Sequence, residues 1–261
     1  MKRKLNIVLG IGFLYVSNLA HAQITFPKNI DPKEVVAQLF DTNYNQADST
    51  FKWLPNKRER LEFYMDKESD TLVTKLDTIF DYDEFGTKNK LLLVSTRPQR
   101  FDCHGCQPIL GLIEMYFNEE DKVYKIAYIN KDVSKFGSWG KPASKRSLLM
   151  ISEGEIGLVI TEESMDFGVE IASSSIYMDG EKIFSYISSY SDAGAKEFES
   201  HRTRYKQYIS FDKKKNLLQI IKKGKEPNLK GKIVPVHSVS NYTFEDGFLN
   251  KKSTLNLLHK K

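Results

Sequence analysis

Residues 101–108 read Phe-Asp-Cys-His-Gly-Cys-Gln-Pro and hold the only two cysteines of the chain, with a histidine beside the first. Four chemistries use such residues. Covalent haem attachment requires C-x-x-C-H, with the histidine directly after the second cysteine. Gln107 follows Cys106 here, so the order discards haem. Thiol–disulfide exchange places C-x-x-C at a helix N-terminus, where the dipole lowers the first thiol's pKa. Ile109, Leu112, Ile113, Tyr116 and Phe117 have helical spacing, but 113–117 also reads as the first arm of a hairpin turning at 118–122. That hairpin leaves barely two turns of helix. A metal site would draw on Cys103, His104 and Cys106, with copper or zinc favoured. Structural zinc needs four protein ligands and catalytic zinc usually three, while His201, His237 and His259 stand far away at no ligand spacing. The favoured expectation is a local Cys103–Cys106 disulfide that fixes a turn, with Gly105 and Pro108 shaping the backbone. The chain-entropy relation gives so short a loop about 2 kcal/mol. Redox exchange and metal handling through the same residues stay open as alternatives.

Other residues have types suited to chemistry. Trp139 lies between Gly137 and Gly140, so the backbone can present the indole as a platform for a sugar or peptide. Packing over a sheet edge is the plainer expectation for it, and Trp53, near Phe51 and Leu54, reads as core. Acidic residues cluster at Asp81-Tyr82-Asp83-Glu84 and at Glu162-Glu163. Acid–base work would need them to face each other across a cleft. Asp81, Asp83 and Gly86 sketch a calcium loop, but Leu92 stands where its twelfth-position acid belongs. A polar turn between strands is expected instead. No G-x-S-x-G, H-E-x-x-H or phosphate-binding glycine loop is present. No catalytic residue and no cofactor are predicted, and the sequence leans away from an enzyme.

Cys103-His104-Gly105-Cys106-Gln107-Pro108, then Gly111, then Phe136-Gly137-Ser138-Trp139-Gly140-Lys141, resembles a group of uncharacterised exported bacterial proteins. Those carry a C-H-x-C segment and a downstream F-G-x-W-G-K segment. The resemblance covers about 40 residues in the middle of the chain. It implies a secreted bacterial origin and a domain built around these segments, and it brings no activity or catalytic residue with it.

The location these chemistries require is written at the N-terminus. Lys2, Arg3 and Lys4 precede an apolar run from Leu5 to Val16, and Ala20-His21-Ala22 fits the small-x-small cleavage pattern. Residues 1–22 are predicted to be a signal peptide cleaved after Ala22, which places the mature chain in the periplasm or outside the cell. No later stretch reaches the roughly 18 apolar residues of a membrane helix. The whole chain has 39 basic and 34 acidic residues, a formal +5. Loss of three basic residues leaves +2, too balanced to point to nucleic acid. Lys213-Lys214-Lys215 and Lys222-Lys223-Gly224-Lys225 read as solvated hairpin tips, or more sharply as a contact for an anionic glycan or membrane surface. A component of the bacterial envelope or a glycan is the kind of partner this implies.

The elements that would hold these residues are mostly strands. Asp31-Pro32-Lys33-Glu34 is a helix start, with Asp31 as cap and Pro32 at the first position. Val35, Val36, Leu39 and Phe40 share one face, and Asn43-Tyr44-Asn45 ends the helix. Residues 71–80 alternate, with Leu72, Thr74, Leu76, Thr78 and Phe80 expected on one side. Leu91-Leu92-Leu93-Val94 reads as a buried strand. Hairpins are predicted at 113–129, 147–161, 205–221 and 238–252, and around Asp179-Gly180. A second helix is expected within 192–204. The predicted fold is α+β, mainly antiparallel β (hairpin-rich sheet, sandwich or barrel-like) with an N-terminal helix. Residues 23–261 are expected to form a single β-rich domain, with a weak boundary near 137–142. The expected function is that of a non-enzymatic exported binding or structural protein of the bacterial envelope.

Overall fold

Runs of β-branched and aromatic residues separated by two-residue polar turns pair most readily with their neighbours in sequence. The computed structural model has that consequence; it describes residues 24–62, 71–99, 107–137, 142–143, 145–166, 168–192 and 202–257. The chain is mainly antiparallel β. The first sheet comprises β1 (Thr25–Pro27), β2 (Tyr44–Asn45), β3 (Thr50–Trp53), β4 (Leu72–Glu84), β5 (Thr87–Pro98), β6 (Ile109–Asn118) and β7 (Val123–Lys135). Its spatial order is β1-β7-β6-β5-β4-β3-β2. The chain thus starts at one edge, jumps to the other, and meanders back. The second sheet is one uninterrupted meander of β8 (Lys145–Ser152), β9 (Glu155–Asp166), β10 (Val169–Met178), β11 (Glu181–Asp192), β12 (Arg204–Asp212), β13 (Leu217–Pro227), β14 (Ile233–Glu245) and β15 (Phe248–Asn256).

The jump is made by an eight-residue helix, α1 (Pro32–Leu39), whose start is capped by Asp31 accepting from the Lys33 N–H at 2.9 Å. It is shorter than expected, because Tyr44 and Asn45 already belong to β2. A second, six-residue helix, α2 (Lys57–Glu62), follows β3. Val35, Val36 and Phe40 from α1 and its end cover one face of the first sheet and meet Phe51, Trp53, Leu92, Val94 and Ile113. The opposite face carries Leu91, Leu93, Leu110 and Leu112, and against these pack Leu158, Ile160 and Tyr177 of the second sheet. β5 is therefore apolar at consecutive positions because both of its faces are covered. The remaining face of the second sheet curls upon itself, so that Ile151, Val159 and Ile176 of β8–β10 share a cluster with Leu218 of β13 and with Phe211 and Phe244.

One expectation fails inside β4. The strand bulges between Leu76 and Thr78, leaving Asp77 out of register. A bulge inserts one residue and reverses the alternation beyond it. Leu72 and Leu76 consequently face α1, whereas Phe80 and Tyr82 face the second sheet. The even-numbered residues do not share one side. The change of sheet occurs between Lys135 and Lys145, and Phe136 and Ala143 on that connection are both buried in the layer between the sheets. Residues 1–22, Cys103, His104, Cys106, Trp139, and most of the helix expected within 192–204 lie outside the described residues. The two ends of that last segment are strand: Asp192 closes β11 and Arg204 opens β12.

Candidate functional site

β6 has the sequence Ile-Leu-Gly-Leu-Ile-Glu-Met-Tyr-Phe-Asn. Ile113, Met115 and Phe117 point to the α1 side, so Glu114 is sent into the layer between the sheets with Leu110 and Leu112. Its residue surface is 8 % exposed. Tyr128 stands directly opposite on β7, and cross-strand partners share a face. The Tyr82 hydroxyl on β4 donates to Glu114 Oε1, and Tyr128 supplies a second phenol hydrogen bond. The β4 bulge is what turns Tyr82 inward. Two residues further along the same face, Glu84 accepts the Ile156 N–H of β9 at 2.9 Å. Asn89, itself buried, donates to Glu84 at 3.4 Å, and its Oδ1 has no hydrogen-bond partner among the described residues.

These groups line a cavity of about 160 Å³ between the sheets. Glu114, Tyr82 and Tyr128 come from the first sheet, and Tyr177, Glu155 and Asp179 from the second. Glycines at two hairpin tips permit this closeness. A Cβ on Gly154 (φ +86°) would lie 2.3 Å from the Phe85 ring, and one on Gly180 (φ +76°) would lie 3.1 Å from the Tyr128 ring. Phe85 is 73 % exposed, so it presents an aromatic edge to solvent at the cavity rim. The Asn130 side chain donates to the Gly180 carbonyl at 3.0 Å, and the Ser134 and Tyr177 hydroxyls share a hydrogen bond of 3.0 Å. The wall is thus tied across both sheets.

The electrostatics of the cavity are one-sided. Burial pushes the Glu114 carboxyl above the ordinary carboxylate range; the two phenols oppose this, and Glu84 and Asp179 add to it. Burial also raises Glu84, helped by Asp179 and Glu155. Tyr82 and Tyr128 are driven far up by burial and by Glu114. Each charged neighbour acting on Glu114 and Glu84 is acidic. A buried carboxylate is costly without a cation, and none of the described basic residues forms an ion pair with Glu114.

The acidic clusters singled out in the sequence are divided by the pleat. Tyr82 and Glu84 face the cavity, while Asp81 faces solvent and pairs with Lys90. Glu162 accepts the Gly137 N–H at 2.5 Å, and its neighbour Glu163 pairs with Lys145, so the two do not work as a couple. Trp53 is core: it is 5 % exposed, and its Nε1 donates to Thr74 Oγ1 at 2.9 Å. The described ends of the cysteine and tryptophan segments meet. Gln107 Nε2 donates to the Gly137 carbonyl at 2.7 Å, and the Phe136 N–H donates to the Pro108 carbonyl at 3.0 Å. Cys103, His104 and Cys106 themselves fall in the undescribed connection from β5 to β6, and Trp139 in that from β7 to β8. The cysteine segment runs into strand β6 from Ile109, where a thioredoxin-like site would have a helix. No group of three or more His, Cys, Asp or Glu suited to a metal is found among the described residues. None of their helices is long and apolar enough to cross a membrane.

Glu114 was missed at the sequence level. Its signal was a single acidic residue inside a strand apolar on both faces, which only a buried carboxylate satisfies. Comparison with protein-family models, with curated proteins and with solved structures returns no match.

Proposed function

We propose that this chain is an exported, non-enzymatic binding protein of the bacterial envelope, and that the cavity between its sheets takes a small organic cation. The observation that carries the reading is Glu114, a buried carboxylate on the cavity wall held by two phenols, around which the charges of the described residues are acidic. A cation entering the cavity would supply the missing counter-charge, and the Tyr82, Tyr128 and Tyr177 rings would supply π-faces. Cavities of roughly 150 Å³ hold a molecule of benzene's size, so the class is an alkylammonium of a few carbons. No nucleophile–base pair lies beside Glu114 among the described residues, which favours binding over turnover.

Export rests on the basic start, apolar run and Ala20-His21-Ala22 of the first 22 residues. In that compartment Cys103 and Cys106 pair as a local disulfide. It would staple the connection between β5 and β6, whose strands are already paired at Thr96 and Ile109. Mass spectrometry of the exported chain tests both points. A mature form beginning at Gln23, two mass units lighter than its reduced form, is the expected result.

The cavity is tested by titration calorimetry at pH 8 with n-butylammonium and choline, and with their uncharged isosteres 1-butanol and 3,3-dimethylbutanol. The ammonium compounds should bind and the alcohols should not. Glu114→Gln should weaken ammonium binding at least about tenfold, the loss of a charge-assisted contact. Equal binding of alcohol and ammonium, or undiminished binding by Glu114→Gln, would overturn the reading.

A further inference from the structure

The second sheet is divided electrically along its length. Residues 145–192, which hold β8–β11, carry three basic and nine acidic residues. Residues 202–257, which hold β12–β15, carry thirteen basic and four acidic residues. The near-neutral total of the chain hides this separation.

The basic half is also ordered on one face. Phe211, Leu218 and Tyr242 point into the curled cluster, so their chain neighbours one residue away point outward. On that outer face Tyr208, Ile221, Val239 and Leu255 are successive cross-strand partners on β12, β13, β14 and β15. They make one apolar row about 15 Å across at the usual strand spacing. Tyr208 is 53 % and Leu255 56 % exposed, at its two ends, and Ile221 and Val239 between them are half-buried. The next row along the strands pairs Lys206 with Lys223, and Lys223 with His237. The row after that pairs Arg204 with Lys225. Rows on one face are about 7 Å apart.

Like charges placed directly opposite one another weaken a sheet. Two such pairs stand here side by side, and all four cations are exposed with no ion pair to a described residue. The contrast with Lys222, on the other face of the same strand, is direct. Lys222 pairs with Glu226 and lies 4.0 Å from the centre of the Tyr205 ring. The strand neutralises its inward lysine and leaves its outward ones open. Folding gains nothing from the outer arrangement.

We infer that the outer face of β12–β15 docks on an anionic phospholipid bilayer. Four fixed cations match the charge of lipid phosphates, and the adjacent row of tyrosine and aliphatic side chains enters the headgroup boundary, where such residues are favoured. A hydrated polyanion would answer the cations equally well but would find no use for an apolar row whose ends, Tyr208 and Leu255, are open to solvent and whose middle, Ile221 and Val239, is half-buried. The apolar row therefore selects the bilayer over a glycan or nucleic acid. This surface is separate from the cavity, and its occupancy does not depend on what the cavity binds.

Co-sedimentation with vesicles tests the inference, using the chain without residues 1–22, whose apolar run would itself enter a bilayer. Vesicles of phosphatidylcholine with 30 % phosphatidylglycerol should retain the protein, and pure phosphatidylcholine should not. Raising the salt to about 0.5 M should reduce retention about tenfold, since exposed charges are then screened. Lys206→Gln with Lys223→Gln should lower it by a similar factor. Tyr208→Ser with Leu255→Ser should lower it several-fold at unchanged net charge. All four positions are solvent-facing, and an unaltered near-UV circular dichroism spectrum checks that each variant is folded. No retention on the anionic vesicles overturns the inference. So does retention insensitive to the Tyr208/Leu255 change together with equally tight binding to heparin, which would mark a polyanion site.

Discussion

The first sheet holds a half-buried ammonium towards one face and a buried carboxyl towards the other, and treats them oppositely. Lys131 of β7 lies on the helix side, where it forms an ion pair with Glu59 at 2.7 Å. Its ammonium also sits 4.6 Å and 4.8 Å from the centres of the Phe40 and Trp53 rings. Glu114 of β6 lies on the other side with two phenols and no cation among the described residues. The helix face is completed by its own residues: Trp53, Thr74 and Thr96 form a buried hydrogen-bond chain with links of 2.9 and 2.8 Å. The inter-sheet face keeps a cavity, an acidic field and, among the described residues, an unpaired acceptor on Asn89. One face is completed by its own residues, and the other leaves its carboxyl without a counter-charge among the described residues. On the proposed reading, that difference separates scaffold from site.

The sharpest break in the comparison should come from the helix face. Phe51 is wholly buried there, so Phe51→Ala should cost about 4 kcal/mol of stability in urea unfolding. In the folded fraction, ammonium binding at the opposite face should persist. Loss of binding in folded Phe51→Ala would show that the two faces are not independent. A smaller effect is expected from Lys131→Ala. It leaves Glu59, with a side chain 15 % exposed, without its partner and removes the cation from two rings. A loss of about 2 kcal/mol is expected, below the value for a fully buried pair. An unchanged midpoint would mean that Lys131 is as dispensable as a surface charge.

Much of this scaffold is legible in the sequence, and the site much less so. The hairpins announce themselves because a two-residue turn and its flanking alternation are local features. Asp179-Gly180 joins β10 to β11, and residues 113–129 fall on β6 and β7. What local pattern cannot give is phase across a bulge. The unpaired Asp77 moves Tyr82 and Glu84 to the cavity side, and no feature of residues 71–84 marks that inserted position. Nor does spacing show that Glu114, Tyr82 and Tyr128, up to 46 positions apart in sequence, converge through register. The division of charge in the second sheet was present in the sequence but was hidden in a sum over the whole chain.

The smallest expected effect is the most discriminating. Glu114 has a folded-state pKa raised by burial, whereas in the unfolded chain it titrates near an ordinary glutamate's value of about 4.3. Between those values the folded state holds more protons than the unfolded one, so stability falls as pH rises through the folded-state pKa and levels off above it. Glu84 and Asp77, also raised by burial, act in the same direction. Glu114→Gln removes one such group while keeping an acceptor for Tyr82. At pH 8 the variant should match or exceed the parent by up to about 1 kcal/mol, because a buried unpaired charge has been removed. At pH 4 the parent should regain its ground, and the two stability curves should converge or cross. A saturating alkylammonium should reverse the parent's slope in this range, since the bound cation favours the ionised carboxylate and affinity then rises with pH. Urea midpoints measured from pH 4 to 8, with and without choline, separate the two faces: Lys131→Ala should lower the curve without changing this slope, and Glu114→Gln should flatten it.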